Sequence, residues 1–166
     1  MLTLVNPPGI KTFSGLNMHT PNPPLGLAYI AGALRQAEIE FSVIDAVGED
    51  LDTVRPFQTR TDLMVQGLHP TEVVDRIDPT TTIVALTCTF STFWPVTRTV
   101  ISLIKDRYPN IVTILGGEHG SAVPENVLRS SDTDIVVLGE GEETFVSLVK
   151  AIRSGVPIKS VSGIAF

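Results

Sequence analysis

The sequence predicts an α/β fold: an open, doubly wound parallel sheet of five strands in the flavodoxin-like order 2-1-3-4-5, Rossmann-like in its layering. Three observations predict it. Short apolar runs recur along the chain without clean polar alternation, as expected of strands covered on both faces. Segments with helical spacing separate them. A strand-helix-strand unit needs about 30 residues, so five repeats fill most of a chain of 166.

Residues 2–5 (Leu-Thr-Leu-Val) make the first strand, stopped by Asn6-Pro7-Pro8-Gly9, because proline cannot donate to a ladder. A long connection leads to Pro23-Pro24. The spacing then predicts a helix over 25–37 with Leu27, Ala28, Ala31 and Leu34 on one face, its start prepared by the prolines. Residues 41–44 are the second strand, ended by Asp45. Residues 48–67 are polar, contain Arg55-Pro56 and Arg60, and read as an excursion. His69-Pro70-Thr71-Glu72 begins a short helix running through Ile77. Residues 83–88 are the third strand, and a helix over 95–108 sets Val96, Val100, Leu103 and Ile104 at helical spacing. Residues 111–115 are the fourth strand, 124–129 a shorter helix and 135–138 the fifth strand. The last helix, 142–152, turns Phe145, Leu148, Val149 and Ile152 inward. Glu142 and Glu143 occupy its first turn, where carboxylates suit the positive helix end. Residues 161–166 read as an extra strand that stops abruptly.

Composition narrows the function classes. The formal charge is −6 with no basic tract, which argues against a nucleic-acid partner. Apolar residues make up 43% and charged residues 18%, too apolar for a disordered chain. No apolar run reaches the roughly 18 residues of a membrane span, so no membrane partner is expected. The N-terminus has no basic n-region and does not read as a signal peptide. The lone cysteine, Cys88, excludes an internal disulfide and a cysteine-only metal or iron–sulfur site. A cytoplasmic, single-core domain is expected.

In such sheets ligands bind beyond the carboxyl ends of the strands, and the informative residues cluster there. The connection after the first strand runs from Asn6, Pro7 and Pro8 to Leu25 and Gly26, long enough to suggest a functional loop. After the third strand, Thr87, Cys88, Thr89 and Ser91 offer hydroxyls and a thiol, and Phe90, Phe93 and Trp94 can cover an apolar face. Equally, the hydroxyls fit as helix caps and the aromatics as core. Cys88 itself suits a small buried hydrophobe. After the fourth strand, Gly116-Gly117-Glu118-His119 permits close backbone approach; taken alone it is also a tight turn. After the fifth strand comes Gly139-Glu140-Gly141-Glu142-Glu143-Thr144. It partly mimics a dinucleotide fingerprint, but its third glycine is Thr144 and it follows the last strand, so a nicotinamide or flavin site is rejected.

Other chemistries lack their residues. No Gly-x-x-x-x-Gly-Lys-Ser/Thr loop and no Gly-x-Ser-x-Gly elbow is present. Asn6 and Thr89 stand near the positions where phosphoryl acceptance needs acids. His19, His69 and His119 are not paired at metal-ligand spacing, so no metal site is expected.

Together these segments resemble the N-terminal cobalamin (B12)-binding domain of B12-dependent radical SAM enzymes, over nearly the whole chain. The carriers are Asn6-Pro7-Pro8, residues 24–32 (Pro-Leu-Gly-Leu-Ala-Tyr-Ile-Ala-Gly), Val43-Ile44-Asp45, Gly116-Gly117-Glu118-His119 and Gly139-Glu140-Gly141-Glu142. Thr87-Cys88-Thr89 stands at the wider family's Ser-x-Leu mark, and the 90–115 spacing to Gly116-Gly117 is like the family's. The family's Asp-x-His-x-x-Gly mark fails: with Gly26 as its glycine, Pro23 and Pro21 fall where His and Asp belong, and His19 is out of register.

The resemblance implies cobalamin held without a histidine below cobalt. Gly116 and Gly117 would line a slot for the nucleotide tail, and Thr87, Thr89 and Ser91 would bond the tail or corrin amides. Phe90, Phe93 or Trp94 would lie against the lower face of the corrin. It further implies methyl transfer through methylcobalamin, from S-adenosylmethionine to a substrate radical. That chemistry needs a 4Fe-4S cluster on a Cys-x-x-x-Cys-x-x-Cys motif, which one cysteine cannot supply. Residues 1–160 are therefore expected to be the cobalamin-binding domain, with 161–166 leading toward a C-terminal radical SAM domain of a methyltransferase or cyclase. The rival expectation is a cofactor-free flavodoxin-like interaction or sensor domain.

Overall fold

Five of the apolar runs become parallel strands of one sheet in the computed structural model, which describes residues 1–12, 23–57, 60 and 62–166. These are β1 (Leu2–Asn6), β3 (Ser42–Asp45), β6 (Ile83–Thr87), β7 (Val112–Gly116) and β8 (Ile135–Val137). Their spatial order, β3-β1-β6-β7-β8, is the expected 2-1-3-4-5 order. Leu2, Thr3, Leu4 and Val5 are all buried, which is why the run carries no polar alternation.

Helices cover both faces. On one, α1 (Leu25–Gln36) and α6 (Glu142–Ser154) press Leu27, Leu34, Phe145 and Leu148 onto Leu4, Ala85, Ile114 and Val137. On the other, α2 (Pro70–Asp75), α3 (Trp94–Arg107) and α5 (Pro124–Ser130) bring Val73, Val100, Ile101, Ile104 and Val127 against Val5, Leu86, Leu115 and Val136. Alternate residues of each strand thus feed two separate cores. Each fully buried leucine or isoleucine contributes roughly 1.5–3 kcal/mol. No helix among the described residues is long and apolar enough to cross a membrane.

Three features depart from the expectation. Residues 48–67 are not simply a polar excursion. They supply β4 (Val54–Pro56) and β5 (Leu63–Gln66), and the long connection after β1 supplies β2 (Gly9–Thr12). These three form a second, antiparallel sheet in the order β2-β5-β4. Val65 and Leu63 on β5 give it a buried face with Phe57 and Val96. It is tied to the main sheet where Leu68 donates to the Ala46 carbonyl at 2.7 Å. Gly67 makes that approach possible: its φ is +101°, and a Cβ there would meet the Ala46 oxygen at 2.2 Å.

Second, Glu118–Ala122 is a short helix, α4, where the sequence suggests a turn. Third, the extra strand at the end is β9 (Ile164–Ala165), which joins the main sheet antiparallel to β8 as a sixth strand.

Candidate cofactor site

At the carboxyl edge, between the sheet and helices α1 and α6, lies a cavity of about 260 Å³. Its floor is apolar. Leu4, Ala85, Ile114 and Val137 come from four adjacent strands, Leu27 and Ile30 from α1, and Phe145 from α6. Its rim is glycine and polar side chains: Gly26, Thr87, Thr89, Gly116, Gly117, Glu118, Gly139, Glu140 and Gly141. Nine of the eighteen expected site residues therefore meet around one opening, and Glu142 joins them.

The rim is held by bonds that carry the strand ladders past the strand ends. Cys88 donates its backbone N–H to the Gly116 carbonyl at 2.9 Å, and His119 donates to the Cys88 carbonyl at 3.0 Å. Ser121 Oγ donates to the Gly117 carbonyl at 3.2 Å and accepts from the Gly139 N–H at 2.9 Å. Three strand-end loops are thus one stitched surface.

The two adjacent glycines do different work. Gly117 has φ +96°, and a Cβ there would stand 2.8 Å from the Cys88 carbonyl oxygen, so any side chain would push the two loops apart. A Cβ on Gly116 meets nothing within 4 Å. Gly117 serves the fold; Gly116 leaves the cavity open.

The other expected residues lie elsewhere. Asn6, Pro7 and Pro8 do not line the cavity. Asn6 donates through Nδ2 to Asp45 at 2.7 Å, and both prolines are buried at the passage into the small sheet. Leu25 is 65% exposed, beside the opening in sequence but not lining it. Phe90 is 58% exposed on the β6–α3 loop and makes an edge-to-face contact with Phe93.

Cys88, Ser91, Trp94 and His119 form a group on the α3 face instead. Cys88 is 1% exposed, and burial pushes its thiol up to about 11. Ser91 Oγ and His119 Nδ1 are 2.9 Å apart, and the His119 ring lies against Trp94 with centroids at 4.9 Å. Burial lowers the His119 pKa below its ordinary value, keeping the ring neutral. His69 caps α2, where its Nδ1 meets Thr71 Oγ1 at 2.8 Å. His19 lies outside the described residues.

Sequence reasoning missed the floor. Phe145 and Leu27 were legible as inward-facing, but nothing marked them as cavity walls. The available signals were Ala85, small in an otherwise bulky strand, and Gly116, a strand-end residue without a side chain.

A family model for the B12 binding domain matches residues 14–149. The chain belongs to the B12-binding domain family. It is 34% identical to an uncharacterised methyltransferase of Pyrococcus horikoshii, over 99% of this chain and 32% of that protein. It is 31% identical to the anaerobic magnesium-protoporphyrin IX monomethyl ester cyclase of Rubrivivax gelatinosus, over 87% of this chain and 24% of that one. The chain thus spans a third or less of these relatives. Its fold matches part of the radical S-adenosylmethionine methyltransferase TsrM from Kitasatospora setae, solved with cobalamin and a 4Fe-4S cluster bound. The TM-score is 0.69, with 22% identity, 98% of this chain and 28% of that one.

The cavity fits the cofactor of this family. Cobalamin has a flat, amide-edged macrocycle and a nucleotide tail ending in an aromatic base. An apolar pocket beneath a polar rim suits a base below and a phosphoribosyl loop above. The open space at Gly116 and the exposed ring of Phe90 stand at that edge.

Proposed function

We propose that this chain is the cobalamin-binding part of a longer B12-dependent radical SAM methyltransferase, with its cobalt free of any histidine from this chain. The observation that carries the site assignment is the cavity whose floor is apolar and whose rim is Gly116, Thr87 and Thr89. Leu4, Ala85, Ile114 and Val137 on the sheet, with Leu27 on α1 and Phe145 on α6, would receive the nucleotide tail. Thr87 and Thr89 hydroxyls hydrogen-bond the tail or the corrin amides, and the backbone at Gly116 and Gly139 allows close approach. Phe90 supplies an apolar surface to the macrocycle.

Two observations support the ligation reading. His119 is turned into the α3 face and hydrogen-bonded to Ser91, and His69 caps α2. Cobalamin bound here would supply a cobalt centre that carries a methyl group from S-adenosylmethionine to a substrate radical. S-adenosylmethionine and the 4Fe-4S cluster belong to a C-terminal radical SAM domain. Residues 1–160 make the cofactor domain, and 161–166, which add β9 to the edge of its sheet, lead on toward that second domain. A cytoplasmic setting suits the buried, unpaired thiol of Cys88.

The test incubates apo protein with hydroxocobalamin, removes unbound cofactor by gel filtration, and records absorbance and then the Co(II) EPR spectrum after reduction. The expected result is a retained corrin without nitrogen superhyperfine splitting. Splitting that changes on isotopic labelling of histidine would overturn the ligation reading and leave the module standing; splitting that does not would come from the cofactor's own base and would take the tail out of the cavity. A folded but colourless protein would overturn the module in favour of a cofactor-free interaction domain.

A further inference from the structure

The cavity floor also bears on which cobalamin-like cofactor is accepted. Natural corrinoids share the macrocycle and differ in the lower base, which is a benzimidazole, a phenol or a purine. We infer that the slot selects an apolar lower base, benzimidazole or phenol, and discriminates against adenine. This inference rests on the tail entering the cavity as proposed above.

The argument starts from the walls. Leu4, Ala85, Ile114, Val137, Leu27 and Phe145 present only hydrocarbon to the interior. The strands beneath are inner members of the sheet, so their backbone donors and acceptors are spent in the parallel ladders between β1, β6, β7 and β8. Among the described residues, the one buried side-chain polar atom lacking a partner is Nε2 of His119, which does not line this cavity. The polar side chains of the rim, Thr87, Thr89, Glu118, Glu140 and Glu142, belong to the strand ends, loops and first helical turns around the opening. A base seated on this floor faces hydrocarbon, with hydrogen-bonding side chains only around the opening.

Adenine carries an exocyclic amine and ring nitrogens that are solvated in water. Seating it here strips that water without replacement, and each unpaired group costs enough to weaken binding about tenfold. A dimethylbenzimidazole buries two methyl groups and a fused benzene ring, which the same floor rewards. An apolar slot rejects a polar base less sharply than a hydrogen-bonding site rejects an apolar one, because here only the base is left unpaired.

The experiment measures affinity of the 166-residue chain for four corrinoids by absorbance titration. They are cobalamin, the adeninyl and the p-cresolyl cobamides, and cobinamide, which has no nucleotide. Adenine is the poorer cobalt ligand, so detachment of the base from cobalt favours the adeninyl form; a preference for benzimidazole must come from the slot. The expected result is adeninyl cobamide at least about tenfold weaker than cobalamin, the p-cresolyl form as tight or tighter, and cobinamide weakest.

Two variants separate the sources. Gly116→Val, whose side chain enters open space, should lower cobalamin affinity toward that of cobinamide. Val137→Thr, near-isosteric with one hydroxyl added to the floor, should narrow the adenine penalty. Equal or tighter binding of adeninyl cobamide overturns the inference. Cobinamide binding as tightly as cobalamin overturns it too, by removing the tail from the slot while the corrin site survives. Binding of none of the four overturns the cobalamin reading itself.

Discussion

The two faces of the sheet end differently at its carboxyl edge. On the α2/α3 face the strand-end loops close over a filled core: Cys88, Trp94 and His119 pack together and the His119 ring is 6% exposed. On the α1/α6 face the same loops stop short and leave about 260 Å³ open above Leu4, Ala85, Ile114 and Val137. The difference comes from side-chain size at a few positions. Ala85 and Gly116 leave room on one face, while Leu86, Leu115 and Trp94 fill the other. A ligand site on this fold is therefore a place where packing is left unfinished, and interior packing elsewhere is dense enough to make that gap stand out.

The adjacent glycines sharpen this comparison most. Gly117→Leu forces a side chain at φ +96° into the Cys88 carbonyl, and should destabilise the protein by about 3–5 kcal/mol. Gly116→Leu extends into the open cavity and should change stability by under about 1 kcal/mol, while weakening cobalamin binding at least about tenfold. Urea unfolding of both variants, read beside cobalamin retention on gel filtration, checks this. Equal destabilisation by the two would show that the cavity is not open at Gly116.

Much of this architecture was legible in the sequence. Strand β6 was readable because both faces of Ile83–Thr87 are covered and the run is apolar throughout. The small sheet was not, since β4 is three residues long and carries Arg55 and Pro56. Those residues look like a loop until Asp50 and Glu72 are seen to bind the Arg55 guanidinium at 2.8 and 2.9 Å. Helix α4 was hidden by its length and by Gly120 within it. The rim was legible because glycines and hydroxyls at strand ends are uncommon as core. The floor was not, because hydrocarbon walls of a cavity and hydrocarbon in a core are spelled with the same residues. Cys88, Ser91, Trp94 and His119 follow the strands that build the site, yet they serve the closed face; nearness in sequence to a strand end does not choose the face.

The closed face should reveal itself through pH. His119 is buried neutral, with its pKa below the ordinary 6.5. In the unfolded chain the ring takes up a proton near that ordinary value, while the folded protein resists doing so. Its contribution is therefore complete above pH 6.5 and is lost as pH falls below it, until the folded pKa is reached. The loss is at most about 1.4 kcal/mol per pH unit. His119→Phe should flatten this part of the stability profile. Glu72 acts in a different window: the His69 backbone N–H and the Arg55 guanidinium hold it below its ordinary 4.5, so its contribution is lost at lower pH. Chemical denaturation between pH 7 and 5 isolates the histidine. A slope unaltered by His119→Phe would mean that water or a ligand reaches the ring and that the face is not closed.

The smallest expected effect is at Cys88, where the two faces come nearest through the Gly116 and Gly117 backbone. The thiol donates weakly to the Phe90 carbonyl at 3.5 Å, and with its pKa pushed up to about 11 it stays protonated in any ordinary assay buffer. A protonated, enclosed thiol is no ligand for cobalt. Cys88→Ala removes one buried sulfur and should cost about 1 kcal/mol of stability. Cobalamin affinity should stay within about twofold, a change worth under about 0.5 kcal/mol, and the absorbance of the bound cofactor should be the same in both proteins from pH 7 to 9. A spectral change confined to the wild type at the alkaline end would mean that the thiol ionises beside the metal. The boundary between the faces would then lie on the other side of Cys88, and the cofactor would reach into what is described above as core.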